Sequence, residues 1–128
     1  MRVLVCGSRT FEDEHDVLGS LVRGLAETIE ISGYMTLIHG NAPGVDSLAA
    51  SAAGSAPAGA AVESYPADWD KYGKAAGPLR NHQMLEEGKP DLVIAFVDKP
   101  LVESRGTNNM VTKARAAGLP VYIVEKVQ

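Results

Sequence analysis

Short continuous apolar runs alternate along the chain with stretches whose apolar residues recur every three or four positions. The runs predict strands at residues 1–6, 34–38, 91–97 and 121–124, and a weaker strand at 60–65 that is expected nearer an edge. An apolar run without alternation is typical of a strand that is covered on both faces of a parallel sheet. The run at 91–97 is the most apolar of the five, so we expect that strand to be central.

Helices are predicted between these strands. We expect them at about 13–32, 45–54 and 78–87, with a fourth after Gly106-Thr107-Asn108. Acidic residues at 12–16 suit the positive amino end of the first helix. Its apolar stripe, which we assign to core packing, consists of Val17, Leu18, Leu21, Val22, Leu25 and Ile29. The segment 66–77 is predicted to be an irregular loop, although it carries the only tryptophan.

The alternation of five strands with four helical stretches predicts the fold class. It is typical of an α/β, Rossmann-like fold, with a doubly wound, mainly parallel five-stranded sheet and flanking helices. Ligands of such sheets bind beyond the carboxyl ends of the strands, where the winding reverses. With the first strand central, that crevice is expected between the first and fourth strands. A chain of 128 residues is expected to form a single domain, residues 1–128.

Composition and charge exclude several classes of protein. Twelve Lys and Arg against sixteen Asp and Glu give a net charge of −4, which argues against coating nucleic acid by charge alone. No apolar run approaches the roughly 18 residues of a membrane span, and no signal peptide precedes the first strand, so a cytoplasmic protein without a membrane partner is expected. His15, His39 and His82 lack a common ligand spacing and Cys6 is expected to be a buried hydrophobe, so we predict no metal and no cofactor.

Three glycine-bearing turns, each between a strand and a helix, carry groups that suit a phosphate. They are Gly7-Ser8-Arg9-Thr10, the stretch from His39-Gly40 to Gly44-Val45-Asp46, and Arg105-Gly106-Thr107. Free backbone N–H groups at a helix start bind anions, and an Arg guanidinium matches phosphate with a planar fork.

Each of these turns also has a structural interpretation, and the alternatives stay open. Asp46 could cap its helix, bind a ribose hydroxyl or act as a base, and His39 could donate to a ligand or be a satisfied structural histidine. Gly106 and Thr107 could hold phosphate or form a simple helix cap.

Two further stretches are candidates for ligand contact. Arg80 and Asn81 lie just after Gly77-Pro78, where they could approach a sugar or a second phosphate, or form a solvated helix start. Trp69 or Tyr72 could cover a base by stacking.

Five stretches, taken together and in order, carry a resemblance to a known family. They are Gly7-Ser8-Arg9-Thr10-Phe11, His39-Gly40-Asn41-Ala42-Pro43-Gly44-Val45-Asp46, Ala67-Asp68-Trp69, Gly77-Pro78-Leu79-Arg80-Asn81-x-x-Met84 and Arg105-Gly106-Thr107. The chain resembles the SLOG superfamily, named for the Smf/DprA and LOG proteins, and within it the small YspA/YpsA-related branch. The resemblance implies a Rossmann-like fold that binds nucleotides or nucleotide-derived ligands, as a sensor or processing module.

The resemblance also implies two alternatives. LOG enzymes cleave the N-glycosidic bond of nucleoside 5′-monophosphates with an Arg in an Arg-x-x-x-Met segment, matched here by Arg80 to Met84, and with a Glu whose position Met110 occupies. In that alternative Arg80 and Asp46 are the candidate catalytic residues. The Smf/DprA branch implies single-stranded nucleic-acid binding, which the acidic charge makes the least favoured partner. SLOG proteins often pair through helices, which implies a homodimer.

Overall fold

The sheet has five parallel strands in the order β3-β2-β1-β4-β5. The computed structural model describes residues 1–30, 33–56 and 59–126. The strands are β1 (Arg2–Gly7), β2 (Thr36–His39), β3 (Ala61–Ser64), β4 (Leu92–Val97) and β5 (Val121–Glu125). The helices are α1 (Val17–Glu30), α2 (Val45–Ser55), α3 (Trp69–Tyr72), α4 (Ala76–Gly88) and α5 (Arg105–Ala116), with 3₁₀ turns at Gly73–Ala75 and Leu101–Glu103.

The strand order confirms the predicted α/β fold and the place where its winding reverses. β1 is central and pairs with β2 on one side and with β4 on the other. β3 is an edge strand, as predicted, whereas β4 is interior but lies one position from the centre. The carboxyl ends of β1 and β4 are therefore neighbours, which opens the expected crevice between them.

Helices cover both faces of the sheet and enclose two apolar cores. On one face Val3, Val5 and Phe96 pack with Leu18 of α1 and Ala49 of α2. The other face has a separate core, and its buried members are Leu4, Cys6, Ile38, Met84, Val93, Ala95, Met110, Val111 and Ala114. Successive residues of β1 alternate between the two cores, because side chains of a strand point to opposite faces. Cys6 is buried, as predicted, and burial raises the pKa of its thiol.

The first helix differs from the prediction in its start and in its stripe. It begins at Val17 rather than near residue 13, and the predicted end at residue 32 lies outside the described residues. The Asp13 carboxylate accepts hydrogen bonds from the backbone N–H groups of Leu18 and Gly19, both at 2.9 Å. The acidic stretch thus caps the helix from outside it. The prediction that the whole stripe packs in the core was wrong, because Val17 is 52% exposed and Leu21 37% exposed.

The prediction of an irregular loop at 66–77 was also wrong. Asp68 accepts a hydrogen bond from the Lys71 backbone N–H at 3.1 Å and so caps the one-turn helix α3. A 3₁₀ turn then leads into α4, which begins at Ala76, two residues before the predicted start. This continuous helical path holds Trp69 at a defined place near the carboxyl edge of the sheet. None of the helices in the described part of the chain is long and apolar enough to cross a membrane.

Candidate functional site

A cavity of about 550 Å³ opens at the carboxyl ends of β1 and β4. The turn after β1, the path from α3 into α4, and the loop from β4 into α5 form its walls. The lining residues are Gly7, Ser8, Arg9, Thr10, Trp69, Lys74, Gly77, Pro78, Arg80, Asn81, Lys99, Glu103, Ser104, Arg105, Gly106 and Asn109.

The structure brings most of the predicted site residues together at this cavity. Those that line it are Gly7, Ser8, Arg9, Trp69, Arg80, Asn81, Arg105 and Gly106. Gly40 lines a neighbouring cavity of about 220 Å³, which shares Arg9, Trp69 and Arg80 with the first. The predicted site residues that line neither cavity are His39, Gly44, Asp46 and Thr107.

The lining of the larger cavity is strongly cationic. Its positively charged residues are Arg9, Lys74, Arg80, Lys99 and Arg105, and its negatively charged residue is Glu103. Within the described ranges, none of these five cations makes an ion pair within 4.0 Å. In a chain whose net charge is −4, this concentration of unpaired cations gives the cavity a positive potential.

Lys74 and Lys99 are not among the residues that the sequence predicts for the site. Lys99 follows the end of β4 by two residues, and the carboxyl end of a parallel strand was a signal that could have indicated it. Lys74 lies in the 3₁₀ turn inside the segment that was predicted to be irregular, so no helical or strand period indicated where its side chain points.

Arg80 is held in place by hydrogen bonds to two elements. Its Nε donates to Asn81 Oδ1 at 3.0 Å, and its Nη1 donates to the carbonyl oxygen of Gly40. A Cβ on Gly40 would overlap the guanidinium of Arg80, so the guanidinium keeps this position because the residue is a glycine. Burial, together with the charge of Arg9, lowers the pKa of Arg80, while nearby Asp46 raises it.

Asn81 ties the helices that flank the cavity. Its Nδ2 donates to the carbonyl oxygen of Gly106 at 3.2 Å and to Asn109 Oδ1 at 3.1 Å. The side chain is 3% exposed and therefore joins α4 to the first turn of α5 from within the protein. Arg80 thus rests on a partner that is itself fixed, which orients its guanidinium.

Asp46 and His39 hold the turn behind Arg80. Asp46 Oδ2 accepts from the backbone N–H groups of Gly40 at 3.0 Å and Ala42 at 3.2 Å. His39 Nδ1 accepts from the Asn41 N–H at 2.9 Å, which places the proton of the neutral ring on Nε2. Asn41 itself has a left-handed backbone, with φ 57°. Both buried side chains therefore have structural hydrogen-bond partners, which fits the structural role that the sequence analysis gave as one of their alternatives.

Burial moves the pKa values of this pair in opposite directions. It raises the pKa of Asp46, against the effect of the two backbone N–H donors and of His39. It lowers the pKa of His39, against the effect of the Asp46 carboxylate. In each case the neutral form gains relative to the charged form, because both groups have lost contact with water.

Gly44 and Thr107 lie where the chain is tightly packed, outside the lining of both cavities. Gly44 precedes α2 with φ 80°, and a Cβ there would lie 2.5 Å from the Arg9 carbonyl oxygen and 2.6 Å from that of Ser8. The missing side chain lets the start of α2 pass directly beneath the turn after β1. Thr107 lies in the first turn of α5 and is 5% exposed.

A polar cluster clamps the turn after β1 to the loop after β4. The hydroxyl of Ser8 accepts from the Asp98 N–H at 3.2 Å and lies 3.5 Å from the Ser104 hydroxyl. Thr10 Oγ1 donates to Asp98 Oδ2 at 2.7 Å. Burial raises the pKa of Asp98, but the hydroxyls of Thr10 and Ser8, a backbone hydrogen bond and the charge of Lys99 together lower it by more, so the carboxyl stays ionised. Asp98 is thus a positioning residue, a role that the sequence did not predict for it.

Trp69 offers an aromatic surface beside the cations. Its ring centroid lies 5.6 Å from the Arg9 guanidinium carbon, which is cation–π distance. The ring also lies against Gly77, where a Cβ would come within 3.3 Å of it. The side chain is 48% exposed, so part of it remains free to contact a ligand.

Met110, at the position where the LOG motif has Glu, lies inside the second core and is fully buried. Its neighbour Asn109 lines the cavity instead. Among residues 1–30, 33–56 and 59–126, no group of three or more His, Cys, Asp or Glu side chains is arranged to hold a metal ion.

Comparisons with known proteins agree with this architecture. The model of a family described as YAcAr (YspA, cpYpsA-related SLOG family) matches residues 1–72. Gene 61 protein of Mycobacterium phage D29 is 39% identical over 124 residues, which cover 94% of this chain and 93% of that relative. The X-ray structure of TM1055, a structural genomics target, is similar with a TM-score of 0.62 over 94% of this chain and 71% of that chain. At 21% identity, this last similarity shows a shared fold.

Proposed function

Since the chain belongs to the YspA, cpYpsA-related SLOG family, we propose that it binds a nucleotide or nucleotide-derived ligand in the cavity at the carboxyl edge of its sheet. The observation that carries the proposal is the cationic lining, five positive side chains without ion pairs among the described residues. Unpaired cations around a concave site are the usual arrangement for phosphate recognition.

Arg9 and Arg80 are assigned to a phosphate group of the ligand. Arg80 uses two of its N–H donors on Gly40 and Asn81, and a guanidinium has five in all. Its remaining donors, together with the exposed guanidinium of Arg9, supply charge-assisted hydrogen bonds in a fixed geometry. The amino end of α5, at Arg105 and Gly106, adds backbone N–H groups at the same cavity.

Trp69 is assigned to the base. A purine or pyrimidine ring can stack on the part of the indole that remains exposed, while Arg9 lies within cation–π distance. An aromatic surface beside a phosphate site suits a nucleotide better than it suits inorganic phosphate alone.

The proposal is for binding rather than for cleavage of a glycosidic bond. Enzymes of that type use two carboxyl groups that flank the bond. In the described part of the chain, Glu103 is the carboxylate that lines the cavity, while Asp46 lies behind the turn at 40–42 with two backbone N–H groups on Oδ2.

A thermal-shift panel of nucleoside monophosphates and diphosphates, ADP-ribose, NAD and cyclic nucleotides tests this function. A ligand at about a hundred times its dissociation constant stabilises the protein by about 2.7 kcal/mol. In a domain of this size that raises Tm by roughly 8–15 °C. A panel without any shift, confirmed by calorimetry at millimolar ligand, would refute nucleotide binding.

Replacing Arg9 by Ala should weaken binding of the ligand found in that panel by about tenfold or more, because a charge-assisted hydrogen bond and a stacking neighbour are lost. Isothermal titration calorimetry measures the change. The matched control is Arg115→Ala, which removes an exposed arginine in the last turn of α5, outside the cavity. Equal affinity in the Arg9 variant and the control would remove Arg9 from the site.

A further inference from the structure

Four of the five cations of the cavity, all except Lys74, form two groups that are carried by different parts of the chain. Arg9 and Arg80 also line the neighbouring cavity of about 220 Å³, on the side of β2. Lys99 also lines another cavity, of about 440 Å³, on the side of β5. Arg105 follows Lys99 along the same loop into α5. Arg9 and Arg80 therefore extend toward the β2 side of the large cavity and Lys99 toward its β5 side, with Arg105 on the loop that follows Lys99.

The Arg9–Arg80 group has no counter-charge within ion-pair distance among the described residues. Both guanidinium groups line the same two cavities, and the pKa of Arg80 is lowered mainly by burial and further by the charge of Arg9, against the effect of Asp46, so the two cations repel each other. The fold keeps them together through the Gly40 carbonyl, Asn81 and the Trp69 ring. An anion placed on both guanidinium groups would relieve that repulsion.

The Lys99–Arg105 group lies beside the start of a twelve-residue helix. Ser104 precedes α5 and its side chain makes no cap hydrogen bond to the helix. The positive end of α5 is thus joined by two exposed cations in the lining of the same cavity. A second anionic group of the ligand would satisfy all three at once.

We propose that the ligand carries two phosphate groups, as a nucleoside diphosphate or its ester does, with one on Arg9 and Arg80 and the other on Lys99, Arg105 and the start of α5. This inference rests on the proposed nucleotide function and specifies its ligand class. A single phosphate carries a charge of about −1.5 to −2 at neutral pH and would leave one of the two groups without a partner.

Calorimetric titrations of the whole chain with ADP, AMP, inorganic pyrophosphate and inorganic phosphate test the inference. EDTA and constant ionic strength exclude contributions from metal ions and from screening. ADP should bind about tenfold or more tightly than AMP, because only ADP reaches both groups. The double variant Lys99→Gln/Arg105→Gln should weaken ADP binding by about tenfold and change AMP binding by less than about threefold.

The control is Arg115→Gln, on the far turn of α5, which should leave all four affinities unchanged. Equal affinity for ADP and AMP, or equal weakening of both in the double variant, would overturn the two-phosphate inference and leave the nucleotide function standing. Binding of pyrophosphate without either nucleotide would support the two anion positions and exclude AMP and ADP as the ligand. If none of the four probes bound, the two-phosphate inference would be overturned, and the nucleotide function would depend on the wider thermal-shift panel.

Discussion

His39 is a buried acceptor, and this fixes which of its protonation states favours folding. Its Nδ1 accepts a hydrogen bond from the Asn41 N–H. If the ring were protonated, Nδ1 would carry a hydrogen and could no longer accept this bond. Burial lowers the pKa of His39 in the folded protein, while the unfolded chain takes up a proton near its ordinary value of about 6.5. The stabilisation is therefore fully present above about pH 6.5 and is lost as the pH falls below it.

We expect the free energy of unfolding to fall between pH 7.5 and pH 5.5, and to fall less in His39→Asn, whose amide oxygen can accept from the same N–H without titrating. Urea denaturation at several pH values measures both slopes. His82→Asn, at an exposed position of α4, should keep the slope of the natural chain. Asp46, whose pKa is raised by burial, contributes with the opposite sign, and replacing His39 removes one effect that lowers the Asp46 pKa, so the difference in slope reports the His39–Asp46 pair. Identical slopes for the natural chain and His39→Asn would contradict this assignment.

At the scale of elements, helix α2 reaches the turn after β1 through a glycine. A Cβ on Gly44 would strike the carbonyl oxygens of Arg9 and Ser8, both part of the backbone and unable to turn away. The φ of 80° adds strain for any residue with a side chain. The helix start and the arginine-bearing turn are therefore one packed unit.

Gly44→Ala should lower the free energy of unfolding by about 2 kcal/mol or more, through the contact and the strained backbone together. The matched control on the same helix is Gly54→Ala, where a Cβ meets nothing within 4 Å. That change should stabilise the protein by about 0.4–1 kcal/mol. Chemical denaturation of the two variants compares them directly, and equal effects would show that the start of α2 is not constrained by the turn.

A helix or strand could be predicted where its apolar pattern runs for longer than one helical turn. β1, β4 and α2 lie within a residue or two of their predicted bounds, because each has a run that packs on the sheet. A four-residue helix such as α3 has no period to detect, and the Asp68 cap was its only signal. The exposed Val17 of α1 shows a second limit, since spacing gives the direction of a side chain but not what covers it.

For the whole molecule, topology predicted where the site lies, and the path of the loops determined which side chains reach it. The order of the strands brings the turns after β1 and β4 to one edge, so it could be predicted that Arg9 and Arg105 line the same crevice. Asp46 and His39 belong to a turn that was correctly predicted to reach this edge of the sheet. Their side chains nevertheless point into the turn and away from the cavity, because the backbone N–H groups of the turn need acceptors. That inward orientation depends on the closed shape of residues 39–46, which no spacing encodes. The homodimer that the resemblance implies stays a prediction.

The overall charge distribution bears on the nucleic-acid alternative. The chain has a net charge of −4, so its long-range field repels a polyanion. Of the twelve Lys and Arg residues, three make ion pairs in the described ranges, and five of the other nine line one cavity of about 550 Å³, a volume suited to a small ligand. Strand-binding proteins instead distribute cations and aromatic rings along a groove that follows several nucleotides.

A fluorescein-labelled oligo(dT) should therefore show no saturable binding in fluorescence anisotropy, even at low salt, where each phosphate contact contributes most. The positive control is the nucleotide identified in the thermal-shift panel, titrated under the same conditions. The oligonucleotide could instead bind, lose affinity steeply with salt and be displaced by that nucleotide. This result would show that the end of a strand enters the cavity. Binding that the nucleotide left unaffected would instead locate a second, separate surface, because a charged cavity of this size cannot hold both ligands at once.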